Sequence, residues 1–195
     1  MTTSVVIAPI VEGHGEVKAV RELISRIASN YFESWPVIAQ PFRLDSAKMR
    51  KPEELARAIR FQSARVEGRG GVLVLRDGDD SDITCPIELA AAMKPDSAIV
   101  TVPVEIVIAR QEYEAWFLAA AESLRVHSAV RDDAVAPKDP EAKRGAKSQL
   151  EAMMVESYKE TLHQAKFSAI IDLHSACERS RSFRRMVHAV ELLVS

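Results

Sequence analysis

Residues 5–20 read V-V-I-A-P-I-V-E-G-H-G-E-V-K-A-V, and they set the frame for everything around them. The stretch opens as an apolar run rich in β-branched residues, the pattern of a buried strand. It breaks at Gly13 and Gly15, then resumes with helical spacing through Val17, Val20, Leu23, Ile24 and Ile27. A strand, a tight glycine turn and a helix make half of a parallel βαβ unit. Glu12 closes the strand and Glu16 falls in the first helical turn. Ligands of open α/β sheets bind outside the carboxyl ends of the strands. Two carboxylates therefore point at the place where such a fold does its chemistry.

The alternation continues outward from this unit. Residues 36–44 (P-V-I-A-Q-P-F-R-L) form a second, weaker strand, interrupted at Pro41 as an edge strand or an early strand end would be. Residues 53–66 carry Leu55, Ala58, Ile59 and Phe61 on a helical period and stop at Gly68, Gly70 and Gly71. Residues 71–75 (G-V-L-V-L) are short and wholly apolar, which predicts a central strand. A helix is expected over 83–93, with Pro86 in its first turn. A fourth strand over 103–109 feeds R-Q-E-Y-E-A-W-F-L-A-A-A, a helix that turns Trp116, Phe117 and Leu118 to the core. Those aromatics read as core rather than as a base-stacking platform. The order β-α-β-α-β-α-β-α predicts an α/β fold, a parallel sheet of about four strands with flanking helices.

The rest of the chain changes character. Residues 128–147 are polar and carry Pro137 and Pro140, as a linker or mobile loop does. From residue 148 the pattern is helical, and its apolar residues (Leu150, Met153, Met154, Ile170, Ile171, Met186) are too many to leave in water at ~25 cal/mol per Å². The expected organisation is an α/β domain over 1–127, a polar linker or loop over 128–147, and a helical part over 148–195 packed on the same domain.

Composition bounds the function. The 195 residues are 47% hydrophobic and 28% charged, enough for one domain with a substantial core. A formal net charge of −2 rules out a broad basic field, though a nuclease can concentrate positive charge locally. Cys85 and Cys177 are far apart with no CxxC pattern, so neither zinc nor a redox pair is expected. The first residues lack the basic region and apolar core of a signal peptide. No apolar run approaches the ~20 residues that span a bilayer. A cytoplasmic protein without membrane attachment is expected, with its oligomeric state open.

Three acidic constellations stand at strand ends. In E-G-H-G-E, the helix dipole accounts for Glu16 but not for Glu12, a carboxylate closing an apolar strand. A dinucleotide or P-loop reading fails, because the third glycine and the G-K-S/T are missing. His14 reads as a turn residue. In D-G-D-D-S-D, an exposed Asp-Gly turn is the plain reading. Its position after a buried strand puts Asp77 and Asp79 in the same crevice as Glu12. Hard oxygen ligands there suit Mg²⁺ or Mn²⁺. In Q-E-Y-E, residues two apart on a helix do not face each other. At most one of Glu112 and Glu114 reaches the crevice, with Glu114 the first choice and Glu112 the second. Arg179, Arg181, Arg184 and Arg185 near the C-terminus, with Lys143, Arg144 and Lys147 in the polar segment, either bind phosphates or form solvated faces.

V-E-G-x-x-E after the first strand, followed by D-x-D after a later one, resembles the Toprim superfamily, the metal-binding domain of topoisomerases, bacterial primases and OLD-type nucleases. E-A-W-F-L opening a late helix and S-F-R-R-M near the C-terminus extend the likeness to a small stand-alone bacterial Toprim-like domain of unknown function, distantly similar to OLD nucleases. The resemblance implies that Glu12 is a general acid/base or metal ligand and that Glu16 is the second glutamate of the pattern. It makes Asp77 and Asp79 metal ligands and Glu114 a late acidic ligand. The chain departs from the OLD pattern in having no S-x-E at Glu112 or Glu114. The function expected from residues and resemblance together is Mg²⁺- or Mn²⁺-dependent cleavage of phosphodiesters in DNA or RNA. Arg179, Arg181, Arg184 and Lys147 are the candidate phosphate contacts. The resemblance further implies a setting in bacterial defence beside an ATPase partner. The competing expectation is a non-catalytic Mg²⁺-binding module that holds a nucleotide or an ATPase partner; a purely structural partner is a third.

Overall fold

Val6–Val11 form β1, which is buried along its whole length, and the other strands take their places from it. The structure is a computed structural model describing residues 4–79, 85–96, 99–142 and 144–195. Asp80, Ser81, Asp82 and Ile83 of the acidic run and its following helix, and the basic residue Lys143, lie outside the described residues.

On one side, β1 pairs in parallel with β2 (Val37–Ile38) and β3 (Phe42–Arg43). The stretch expected as one weak strand is therefore two very short ones on the same edge. Pro41 lies between them and lacks the N–H that a continuous ladder needs. On the other side, β1 pairs with β4 (Gly70–Asp77), and β4 pairs with β5 (Val104–Ala109). All of these pairings are parallel, in the order β2-β1-β4-β5. β4 runs two residues beyond the apolar G-V-L-V-L, which carries Arg76 and Asp77 into the sheet. Gly70 starts β4 at φ 113°, where a Cβ would strike the Val6 carbonyl, so this join requires glycine.

Strand alternation divides the core into two layers. Ile7, Val11, Leu73, Leu75 and Val107 face α1 (Glu16–Phe32) and the C-terminal helices. Ala8, Ile10, Val72, Val74, Ile106 and Ile108 face the other way. They pack against α2 (Ser46–Met49), α3 (Pro52–Ser63) and α4 (Pro86–Met93). α1 buries Ala19, Val20, Leu23, Ile24, Ile27 and Ala28, one stripe at helical spacing. The helix after β5 begins later than its sequence suggests. Gln111 takes a left-handed φ of 69°, so the chain turns before α5 (Glu114–Ala119) starts.

Beyond a 3₁₀ turn (Ala121–Val126) come α6 (Ala146–Glu151), α7 (Glu160–Ile170), α8 (Leu173–Arg179) and α9 (Arg181–Val194). Phe167, Phe183, Met186 and Val190 join the same core as Ile7 and Leu73. The polar segment before α6 is seated as well. It buries Ala129, Val130 and Ala134, and Val130 bridges Met154. Glu141 is buried at the head of α9 and accepts bonds from Ser180, Arg181 and Ser182. Among the described residues, no helix is long and apolar enough to cross a membrane.

Candidate active site

The register pairs Ile10 with Val74, which brings the end of β1 level with Arg76 and Asp77 at the end of β4. The Asp77 backbone N–H donates to Glu12 Oε2 at 3.3 Å. The Glu12 backbone N–H donates to Glu16 Oε2 at 3.1 Å, so the glycine turn closes on its own second glutamate. Gly13 is small for the same reason: a Cβ there would sit 2.8 Å from Glu16 Oε1. Asp77 Oδ1 accepts from the Tyr113 N–H at 2.9 Å, and the Gly78 N–H donates to the Gln111 carbonyl at 3.0 Å. These two bonds hold the left-handed turn at Gln111 and deliver Glu114 at the start of α5.

Glu114 is fully buried. Its Oε1 accepts the Tyr158 hydroxyl and the Gln164 amide, each at 2.7 Å. Its Oε2, and the Oε1 of Gln164, are buried acceptors without a hydrogen-bond partner. Such groups are destabilising unless a proton or a cation meets them. Gly15 permits this arrangement, because a Cβ there would strike the Gln164 side chain and lie 2.7 Å from the Glu160 carbonyl oxygen.

The carboxyls act on one another. Burial, then the charges of Glu12 and Glu114, push Glu16 up to about 7 against the bonds it accepts from Gly13 and Glu12. Burial, then Glu16, Glu114 and Glu12, hold Asp77 well above the usual carboxylate range. Burial also raises Glu12, opposed by a Ser46 hydrogen bond and the Arg76 charge. Burial raises Glu114, opposed by Lys147, Tyr158 and Gln164. Beside Arg76, whose charge acts on Glu12, a second cation meets the group at Lys147. Its Nζ lies 2.8 Å from Glu160 and 3.9 Å from Glu112, and its backbone N–H donates to Glu112 at 3.1 Å. Burial would lower its pKa, but the Glu160 bond and the charges of Glu114 and Asp77 outweigh that and raise it.

Glu12, Glu16, Asp77 and Glu114 thus come together from three stretches of the chain. Asp79 is exposed at the rim, with its charge acting on Glu12. Glu112 is engaged by Lys147 rather than joining the group. The arginines near the C-terminus behave differently from a phosphate clamp. Arg179 pairs with Glu122 at 2.7 Å, Arg185 with Glu105 at 2.9 Å, and Arg184 caps the carbonyls of Cys177 and Glu178. Arg181 is exposed, with its backbone N–H on Glu141. Lys147 is the basic candidate that reaches the carboxylates. Tyr158, Gln164 and Ser46 have no spacing signal in the sequence, and only the fold brings them to the site.

Among the described residues, no three Asp, Glu, His or Cys side chains stand as a ready-made metal-ligating group. The chemistry of the donor set nevertheless fits a hard divalent cation. The donors are all oxygens, their ionised forms repel one another, and two buried acceptors lack a donor.

A family model described as Domain of unknown function (DUF4276) matches residues 11–191. No curated protein and no solved structure gives a match to the chain.

Proposed function

The chain belongs to the DUF4276 family, and we propose that this member is a divalent-metal-dependent phosphodiesterase acting on DNA or RNA. The observation that carries the reading is the convergence of Glu12, Glu16, Asp77 and Glu114 at the carboxyl ends of β1 and β4, each raised by burial, and Glu12, Glu16 and Asp77 also by neighbouring carboxylates. Carboxylates crowd in this way only with bound protons or compensating cations, and among the described residues Lys147 and Arg76 supply two positive charges for four carboxyls. Glu16 and Asp77 would hold Mg²⁺ or Mn²⁺, with Asp79 contributing from the rim. The bound ion would polarise the phosphoryl oxygens and neutralise their charge.

The chain's own groups do the rest. Glu12 is half-buried with a raised pKa, which suits it to move a proton at the attacking or leaving oxygen. Lys147 adds a fixed positive charge beside the anionic substrate. Glu114, gripped by Tyr158 and Gln164, braces the back of the site. The likeness of V-E-G-x-x-E and D-x-D to the Toprim pattern supports the same reading, and with it a setting in bacterial defence beside an ATPase. The unpartnered Oε2 of Glu114, buried behind the Tyr158 and Gln164 bonds to Oε1, favours a second reading, a non-catalytic Mg²⁺-binding module, because an ion held that deep is shielded from a substrate.

Cleavage of labelled DNA, plasmid and tRNA with Mg²⁺ or Mn²⁺ tests the proposal. The wild type should cleave at least one substrate, and its melting temperature should rise with metal, by ~2.7 kcal/mol of added stability at a hundredfold excess over Kd. Asp77→Asn should lose both effects. Metal stabilisation without cleavage selects the second reading, and neither effect rejects both.

A further inference from the structure

The sheet ends at β2 and β3, and the surface around that edge carries a charge that the chain as a whole does not. Residues 43–65 hold seven Lys or Arg against three Asp or Glu, in a chain whose formal net charge is −2. A face that is merely solvated carries both signs. Arg43, at the end of β3, is exposed and pairs in register with Val11, one residue before Glu12. Lys18 and Arg21 are exposed one turn apart on α1. Arg21 reaches the same edge, with Nη1 3.3 Å from Gln40 Oε1 in the link between β2 and β3. Neither Lys18 nor Arg43 has an ion-pair partner among the described residues. Glu22, the acid beside Arg21, acts on Arg26.

Aromatic rings stand along the same edge. Trp35, two residues before β2, is 78% exposed, and Phe61 on α3 is 48% exposed. Phe42 of β3 lies 5.3 Å from Phe61, and Arg65 sits 4.9 Å over the Phe61 ring. Gln62 ties α3 to the edge by donating to the Gln40 and Pro9 carbonyls. The register sets the scale, with Val37 opposite Val6 and Arg43 opposite Val11. At ~3.3 Å per residue, Trp35 stands roughly 20 Å along the edge from Arg43. The edge leads to the carboxylates, since Arg43 lies beside the end of β1 and Ser46, at the start of α2, bonds Glu12.

Cations without acidic partners beside exposed rings match a polyanion whose bases are open to stacking. A duplex offers the phosphates but hides the faces of its bases. A strand from another protein finds too short a ladder on β2 and β3, which are two residues each and broken at Pro41. We propose that the β2–β3 edge binds single-stranded DNA or RNA and leads it to the carboxylates at the end of β1. Phosphates lie at Lys18, Arg21 and Arg43, and a base stacks on Trp35 at the far end. The inference rests on the phosphodiesterase reading and names its substrate as a single strand.

The full-length protein is titrated in EDTA with fluorescein-labelled (dT)₁₂, (rU)₁₂ and a duplex of the same length, by anisotropy at several salt concentrations. The wild type should bind at least one single strand more tightly than the duplex. Arg43→Gln should weaken that binding about fivefold or more and reduce the salt slope by about 0.7, the share of one phosphate on a single strand. Trp35→Ala should weaken it about fivefold or more with the slope unchanged, because stacking is not ionic. Both side chains are exposed, so unchanged melting temperatures certify the fold. Arg181→Gln, which removes an exposed charge at the start of α9, should bind as the wild type does. A smaller effect of either edge variant overturns the proposal, as does an equal loss in Arg181→Gln, a duplex bound as tightly as the single strands, or no binding by the wild type. A dimer in sedimentation that Trp35→Ala splits, with oligonucleotide binding unchanged, makes the edge a contact between copies instead. Cleavage of single strands unimpaired in both edge variants removes the edge alone. Edge binding in a protein that never cleaves removes the phosphodiesterase reading and leaves the edge standing.

Discussion

Glu16→Gln changes the charge at the centre of the cluster without changing its shape. Glu16 is 2% exposed and its pKa is raised from 4.5 to about 7, with burial the largest cause. Between those values the folded state holds a proton that the unfolded state has released. Stability from this group is therefore full below pH 4.5 and is lost as pH rises through 7. At 1.36 kcal/mol per pKa unit, the loss amounts to about 3 kcal/mol by pH 8. Glutamine never ionises and escapes it. Against that gain, Gln offers one acceptor where Glu16 accepts N–H groups from both Gly13 and Glu12, and one lost bond costs about 1 kcal/mol. The charge effect wins above neutrality. Urea denaturation of both proteins from pH 4 to pH 8 should show Glu16→Gln slightly less stable at pH 4 and about 2 kcal/mol more stable at pH 8. The difference between the two curves reports the ionisation of Glu16 together with its coupling to Asp77, since the hydrogen-bond loss is nearly independent of pH. A difference that stays flat across this range would refute the reasoning.

Two further substitutions probe the scaffold. Glu141→Ala removes the acceptor of four bonds at the head of α9, from the Ser180 hydroxyl, the Arg181 and Ser182 N–H groups and the Ser182 hydroxyl. A loss of about 3 kcal/mol is expected, since bonds to a buried carboxylate are the strong ones; a calorimetric loss below 1 kcal/mol would contradict it. Gly15→Ala would drive a Cβ against Gln164 and to 2.7 Å from the Glu160 carbonyl oxygen, parting α1 from α7. Its backbone is already right-handed, so overpacking decides the sign, and a loss of 1–3 kcal/mol is expected; an unchanged melting temperature would show that α7 yields freely.

The parallel sheet was legible because buried strands and amphipathic helices leave periodic signatures. β1, β4, β5 and α1 are long enough for those signatures to be clear. β2 and β3 were not separable, because two residues each are shorter than any period. The start of α5 was hidden by Gln111, whose left-handed turn is held by bonds from β4 rather than by a residue type that favours it. Among the clustered carboxyls, Glu12 and Asp77 were readable from their places at strand ends, and Glu16 and Glu114 from the first turns of the helices that follow strands. Tyr158 and Gln164 were not, since they reach Glu114 from 44 and 50 residues away. The arginines of α8 and α9 were ambiguous for a related reason. A charged helix face looks the same in sequence whether it meets solvent, a phosphate or, as for Arg179 and Arg185, a glutamate of the same chain.

The most direct test of the phosphodiesterase reading is the cleavage rate of Glu12→Gln at saturating Mg²⁺ or Mn²⁺. The amide is isosteric and its oxygen still accepts the Asp77 N–H, so folding should be preserved, as an unchanged melting temperature would show. With the proton-transfer group gone, the rate should fall by ~10²–10⁴-fold, the usual reach of a general acid–base residue. A Glu12→Gln protein that cleaves as fast as its parent would remove Glu12 from the chemistry and the carboxylate cluster from its proposed role.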